Sequence, residues 1–209
     1  MKKIITTLSA ALALSFAGSA QALPTLYSTP GVQNAANYNF TATTTGDIIA
    51  YFVGSTAAYT DVLSLFINGV ESSISGLNNQ TSKVGDSINF GKAQAGDKLV
   101  FKLTILNSLG NGQVGPWYSD KTMNSDGFQH VYSSGLYTGA IGNVNVKNAQ
   151  SVAFEDQSIR TNFNYNDENF VFLNVSATQN AVPEPGSLAL LGLGVLGLTF
   201  SRRKKAKAA

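Results

Sequence analysis

The sequence predicts an all-β fold, an antiparallel β-sandwich of jelly-roll-like form, carried between two terminal segments of different character. Three observations predict it. Short runs rich in Ile, Val, Phe, Tyr and Leu recur along the middle of the chain. Gly- and Asn-containing turns separate them, and no long stretch shows a 3.6-residue apolar period.

The clearest strands are Asp47 to Val53, Val62 to Asn68, Lys98 to Asn107 and Asn169 to Ser176. In Leu99-Val100-Phe101-Lys102-Leu103-Thr104-Ile105 every odd position is apolar while Lys102 and Thr104 are polar, the alternation of a half-buried strand. From Phe170 to Val175 apolar residues fall on both parities, which predicts a strand covered on both faces. Turns are expected at Asn68-Gly69, Gly85-Asp86, Ala95-Gly96-Asp97, Leu109 to Gly112 and Ser125-Asp126-Gly127. Asn111 to Asn124 reads as a long loop holding Trp117 and Tyr118. That aromatic pair either stacks on a sugar ring or caps the core.

The 209 residues divide into three parts. Residues 1–22 read as a secretory signal peptide: Lys2 and Lys3, an apolar run from Ile4 to Gly18, and the small-x-small site Ala20-Gln21-Ala22. Residues 23–181 are one domain's worth of chain. Residues 182–207 form a tail with an apolar segment, 186–201, expected to be a hydrophobic helix. There is no cysteine, so no disulfide supports the domain. The net charge of +2 misleads, because seven of the 14 Lys and Arg lie in the terminal segments. The middle carries seven basic residues against eleven acids, a formal −4. No basic face for a nucleic acid is expected.

In the tail, Val182-Pro183-Glu184-Pro185 precedes Gly186 to Phe200, and Arg202, Arg203, Lys204, Lys205 and Lys207 close it. An apolar run followed by basic residues is a stop-transfer arrangement with its positive end cytoplasmic. The prolines hold the preceding chain extended, accessible to a membrane protease. Pro183, Glu184 and Pro185 with the apolar run and basic cluster resemble the PEP-CTERM sorting signal. That resemblance implies an exosortase as partner, only transient residence in the membrane, and delivery to the cell surface or an exopolysaccharide matrix. An ordinary single-pass anchor is the other reading. Gly192-Leu193-Gly194-Val195-Leu196-Gly197 fits a dinucleotide-loop pattern, but lacks the flanking strand and βαβ context that the chemistry needs.

The chemistry of the middle lies in Phe154-Glu155-Asp156-Gln157 and Phe163-Asn164-Tyr165-Asn166-Asp167-Glu168. These segments resemble the closing motif of a bacterial extracellular domain family without assigned function, found in surface and adhesin-like proteins. Asp126-Gly127-Phe128-Gln129-His130-Val131 resembles its upstream element. The chain departs from the family where Asn164 replaces an Asp and where Arg160 enters the loop. Carboxylate and amide oxygens so grouped suit Ca²⁺, which takes six to eight oxygens. The expected ligands are Asp156, Asn164 and Asp167, with Glu155 beside them. Arg160 pairing with an acid, or a turn in which Asp and Asn accept backbone N–H groups, would explain the same residues.

His130 is the sole histidine, and no cysteine exists for a zinc site. There is no G-x-S-x-G elbow, and adjacent acids before a strand are no signature of glycoside hydrolysis. The expectation is therefore a non-enzymatic, exported surface or matrix protein, structural or adhesive and calcium-stabilised. A carbohydrate-binding module for exopolysaccharide is the first alternative and a polysaccharide hydrolase the second.

Overall fold

The computed structural model describes residues 27–107, 115–158 and 162–180. The signal peptide, Arg160 and the whole tail, including the hydrophobic segment 186–201 and Pro183 to Pro185, lie outside the described residues. Among the described residues no helix is long and apolar enough to cross a membrane.

Among the described residues, eleven strands form two antiparallel sheets. They are β1 (Asn37–Ala42), β2 (Gly46–Ser55), β3 (Thr60–Ile67), β4 (Val70–Gly76), β5 (Ser87–Ala93), β6 (Lys98–Asn107), β7 (Trp117–Tyr118), β8 (Val131–Ile141), β9 (Val144–Phe154), β10 (Glu168–Leu173) and β11 (Val175–Asn180). One sheet runs β11-β1-β6-β3-β4, with β7 also on β6. The other runs β5-β2-β10-β9-β8. The chain crosses between sheets at β1–β2, β2–β3, β4–β5, β5–β6, β7–β8 and β10–β11, the repeated crossing that a jelly-roll-like path entails. The expected β-sandwich is thus present.

The core fills the space between the sheets. Phe40, Leu63, Leu65, Leu99, Phe101 and Leu103 come from one sheet, and Ile48, Phe52, Val152, Phe154, Phe170 and Phe172 from the other. Phe101 and Phe172 stack across the interface with centroids 4.0 Å apart. Each such side chain contributes about 1.5–3 kcal/mol through burial. In β6 the alternation holds: Leu99, Phe101 and Leu103 face the core and Lys102 does not. In β10 both faces are covered as expected, since Val171 joins Val53, Tyr137, Ile141, Val146 and Ala149 in a second cluster.

Two sequence expectations need correction. The run Asn169 to Ser176 is not one strand but most of β10 and the start of β11, which belong to different sheets. Asn174 makes the break with φ 62°. Its side-chain oxygen accepts from Thr44 N–H at 2.8 Å and its amide donates to Thr44 O at 2.9 Å. The expected loop around Trp117 contains β7, which pairs Lys102 with Tyr118 and Leu103 with Trp117. A 3-10 turn, Lys121–Met123, follows it and is capped by Asp120. The Asn68-Gly69 turn is as expected: φ values of 49° and 82° give the left-handed pair that joins β3 to β4.

Candidate metal centre

At one end of the sandwich, three strand termini converge. β3 begins at Thr60, β9 ends at Phe154 and β10 begins at Glu168. Period-two geometry decides what they present. Asp61 shares the inward face of β3 with Leu63 and Leu65, and Glu168 that of β10 with Phe170 and Phe172. Glu155 and Asp156 follow β9 directly, and Asp167 precedes β10. All five carboxyl groups are buried: Asp61, Asp156 and Glu168 are 0% exposed, Glu155 1% and Asp167 6%.

The backbone between β9 and β10 is shaped around these acids. Phe163 and Tyr165 adopt φ 42° and 50°, so the segment is a turn and not an extended stretch. The winding aims the N–H groups of Asn164 and Tyr165 at Glu155 Oε2, at 3.1 and 3.4 Å. Asp156 N–H donates to Asp167 Oδ2 at 3.0 Å. Asn164 Oδ1 accepts from Asn166 N–H at 3.3 Å, closing a local turn. Tyr165 anchors the segment from outside, donating to Gln129 O and accepting from Asn34 N–H, both at 2.9 Å.

The upstream motif provides the other wall. His130 and Trp117 stack almost parallel, 3.7 Å between centroids. Trp117 Nε1–H donates to Asp156 O at 2.6 Å, and His130 Nδ1 faces Glu155 O at 2.9 Å. His130 Nε2 faces Asp126 Oδ2 at 2.9 Å. Asp126, His130, Glu155 and Asp156 are therefore one connected unit, although about thirty residues of chain separate its halves. Trp117 is 0% exposed. It is a core residue fixing the acidic loop, and its ring offers no face to a sugar. Tyr118 is half-buried and packs edge-on against Phe66.

Hydrogen bonds account for only part of the acidity. Neither carboxyl oxygen of Asp61, of Asp156 or of Glu168 has a hydrogen-bond donor. The Ser55 hydroxyl is near enough to Glu168 to ease its charge but makes no well-formed hydrogen bond to it. Among the described residues the ion pairs are Lys98–Asp120, Lys102–Glu71 and His130–Asp126, and none of the three involves Asp61, Asp156, Asp167 or Glu168. Burial pushes Asp61 up to about 7, helped by the charge of Asp167. It pushes Glu168 up to about 10, helped by Asp61. Asp156 is raised by burial and then by Asp167 and Asp61. Without a cation these groups hold protons or repel one another.

One oxygen from each of Glu155, Asp156 and Asp167 lies within 4.8 Å of the others. Ligands at 2.3–2.6 Å from a common Ca²⁺ are separated by no more than about 5 Å. Three of the four expected ligands are thus brought together, while the side-chain oxygen of Asn164 is used in its own turn. Sequence reasoning missed Asp61. Its signal was present: an acid in step with Leu63 and Leu65 on the face that β3 buries.

Comparison with known proteins bears on the other end of the chain. Residues 181–205 match the model of the PEP-CTERM protein-sorting motif. The chain carries an exosortase sorting signal. A PEP-CTERM motif directs an exported protein to exosortase processing and the cell surface through a transient membrane anchor. No curated protein and no solved structure matches the chain. The likeness of the central domain to the extracellular family therefore rests on its quoted motifs.

Proposed function

We propose that this PEP-CTERM protein is a non-enzymatic structural or adhesive component of the cell surface or extracellular matrix, with a sandwich that calcium clips at one end. The observation that supports this most is the set of buried carboxyl oxygens without donors, contributed by strands of both sheets. Burying unpaired carboxylates is costly, and calcium outside the cell supplies the missing charge. An ion held by Glu155, Asp156 and Asp167 fastens the end of β9 to the start of β10 and offsets the charge that Asp156 sets against Asp61 of β3, stiffening that end of the domain. Enzymatic use of the acids is disfavoured because they are enclosed, with Trp117 and His130 packed over the adjoining backbone.

The test is a thermal melt of the full chain with calcium and with chelator. Calcium at 100 times its Kd adds about 2.7 kcal/mol, a rise of roughly 5–10 °C for a domain of this size. Equal melting temperatures would remove the calcium clip from the proposal.

A second reading, binding of exopolysaccharide, is favoured by a polar cavity of about 270 Å³. Asn37, Asn39, Lys121 and Gln129 line it, and Asn37 Oδ1 has no hydrogen-bond partner. Planar amides of this kind pair with sugar hydroxyls. Co-sedimentation with exopolysaccharide from the producing cells, lost in Asn37→Ala, would support it.

A further inference from the structure

Very little chain separates the folded domain from the sorting signal. β11 ends at Asn180, and the PEP-CTERM match begins at residue 181. Pro183 is the third residue beyond β11, so in any conformation it lies no more than about 11 Å from Asn180. The fold keeps this separation short. β11 pairs with β1 along its length, from Ala42 opposite Val175 to Asn37 opposite Asn180. Val175 is 2% exposed, and Ala177 packs on the same core. Peeling β11 away to lengthen the tether would uncover both.

A single helix of any enzyme is about 10–12 Å across. A protease that grips Pro183 to Pro185 therefore meets the sandwich itself, where β1 starts and β11 finishes. That end holds the cavity of about 270 Å³. Asn37, the residue opposite Asn180, lines it, and its buried Oδ1 has no hydrogen-bond partner. Lys121 and Thr122 also line it, and neither is buried. Asp120 beside them is committed: Oδ2 accepts from Lys98 Nζ at 2.8 Å, and Oδ1 accepts from the Thr122 hydroxyl at 2.7 Å. Lys121 is in none of the ion pairs among the described residues. This end thus presents an amide oxygen that lacks a donor and a lysine that lacks an acid.

We propose that this end of the sandwich is a docking face for the exosortase, which engages the folded domain around Asn37, Lys121 and Thr122 together with the motif that follows. The matching enzyme surface carries a hydrogen-bond donor for Asn37 and an acid for Lys121. The contact belongs to the tethered chain. On the polysaccharide reading above, sugar reaches the same cavity only once the tail is cut.

The rate of tail removal from the full chain in the producing cells, followed by pulse-chase and intact mass, tests this. Lys121→Glu and Thr122→Trp should each slow removal by about tenfold, the effect of losing one or two hydrogen bonds at a contact. Val70→Trp, exposed on β4 at the opposite edge of the same sheet, should be processed like the wild type. An insertion of about six Gly and Ser residues after Asn180 adds roughly 20 Å of reach. It should give no gain in rate and should make removal insensitive to Thr122→Trp, because the enzyme then grips the motif clear of the domain. Faster removal with the insertion would mean that the domain obstructs the enzyme, and would overturn the docking face. Unchanged rates in Lys121→Glu and Thr122→Trp, or an equal loss in Val70→Trp, would overturn it too. Melting temperatures of the purified variants check that each is folded.

Discussion

Acids serve two opposite purposes in this domain. At the surface turns, Asp86, Asp97, Asp120 and Asp126 each accept a backbone N–H: from Lys83 at 2.8 Å, Gln94 at 2.7 Å, Thr122 at 3.1 Å and Phe128 at 2.9 Å. Burial alone would raise Asp120, but Lys98 and the Thr122 donors hold it below the ordinary carboxylate range. At the buried end, Asp61, Asp156 and Glu168 meet no donor and are pushed upward. The same residue type thus closes a turn where N–H groups converge on it, and demands a proton or cation where they do not. The difference between the two regions is donor supply.

The largest expected effect concerns the frame that holds the buried acids. Trp117→Ala should cost about 3–5 kcal/mol with or without calcium, because it removes a fully buried ring stacked on His130. It should also weaken calcium binding, since the Asp156 peptide loses its donor. Isothermal titration and chemical denaturation measure the two effects. If calcium affinity is unchanged in a folded variant, the indole packs the core without setting the site.

Next is a reversal of sign. With calcium present, Asp156→Asn should remove the whole ion-dependent increment, about 2.7 kcal/mol at 100 times Kd. In chelator it should equal or exceed the wild type, because a neutral amide relieves repulsion from Asp61 and Asp167. Paired melts decide this. A variant destabilised equally in both conditions would place Asp156 among the ordinary turn acids.

The pH response separates the two regions further. A carboxyl whose folded pKa is raised adds stability that is full below its unfolded value near 4 and is lost as pH rises through the folded value. For Asp61 the loss extends to about 7 and for Glu168 to about 10. In chelator the melting temperature should therefore fall between pH 5 and pH 8, by on the order of 5 °C. Calcium should flatten or invert that slope, because it replaces the protons. A melting temperature that rises with pH in chelator would contradict the assigned burial of charge.

Much of this was legible in the residues, for reasons that differ by element. Lys98 to Asn107 alternates cleanly because β6 has one face on the core. β8 and β9 were not foreseen. Bulges between Tyr132 and Gly135 and between Tyr137 and Gly139 shift their register, and Asn148 adopts φ 52°, so strict alternation is broken. Glu155, Asp156 and Asp167 were visible as a local cluster. Asp61 was overlooked: its period-two step with Leu63 and Leu65 marks it as inward-facing, but which acids it meets depends on β3 and β10 facing each other across the sandwich. Trp117, beside a glycine and a proline, read as part of a long loop that either stacks on a sugar ring or caps the core. Its burial follows from pairing with β6, a contact that composition does not encode.

The smallest effect is also the sharpest control. Asp97 joins the β5–β6 turn by accepting from Gln94 N–H and from Asn68 Nδ2 at 2.8 Å. Asp97→Ala should cost about 1 kcal/mol, the usual loss when a capping side chain is truncated, and lower the melting temperature by roughly 2–4 °C. The decrement should be the same in calcium and in chelator, because this carboxylate is supplied with donors by the fold itself. A calcium-dependent decrement at Asp97 would mean that ions also act at the surface turns, and the division between the two classes of acid would then fail.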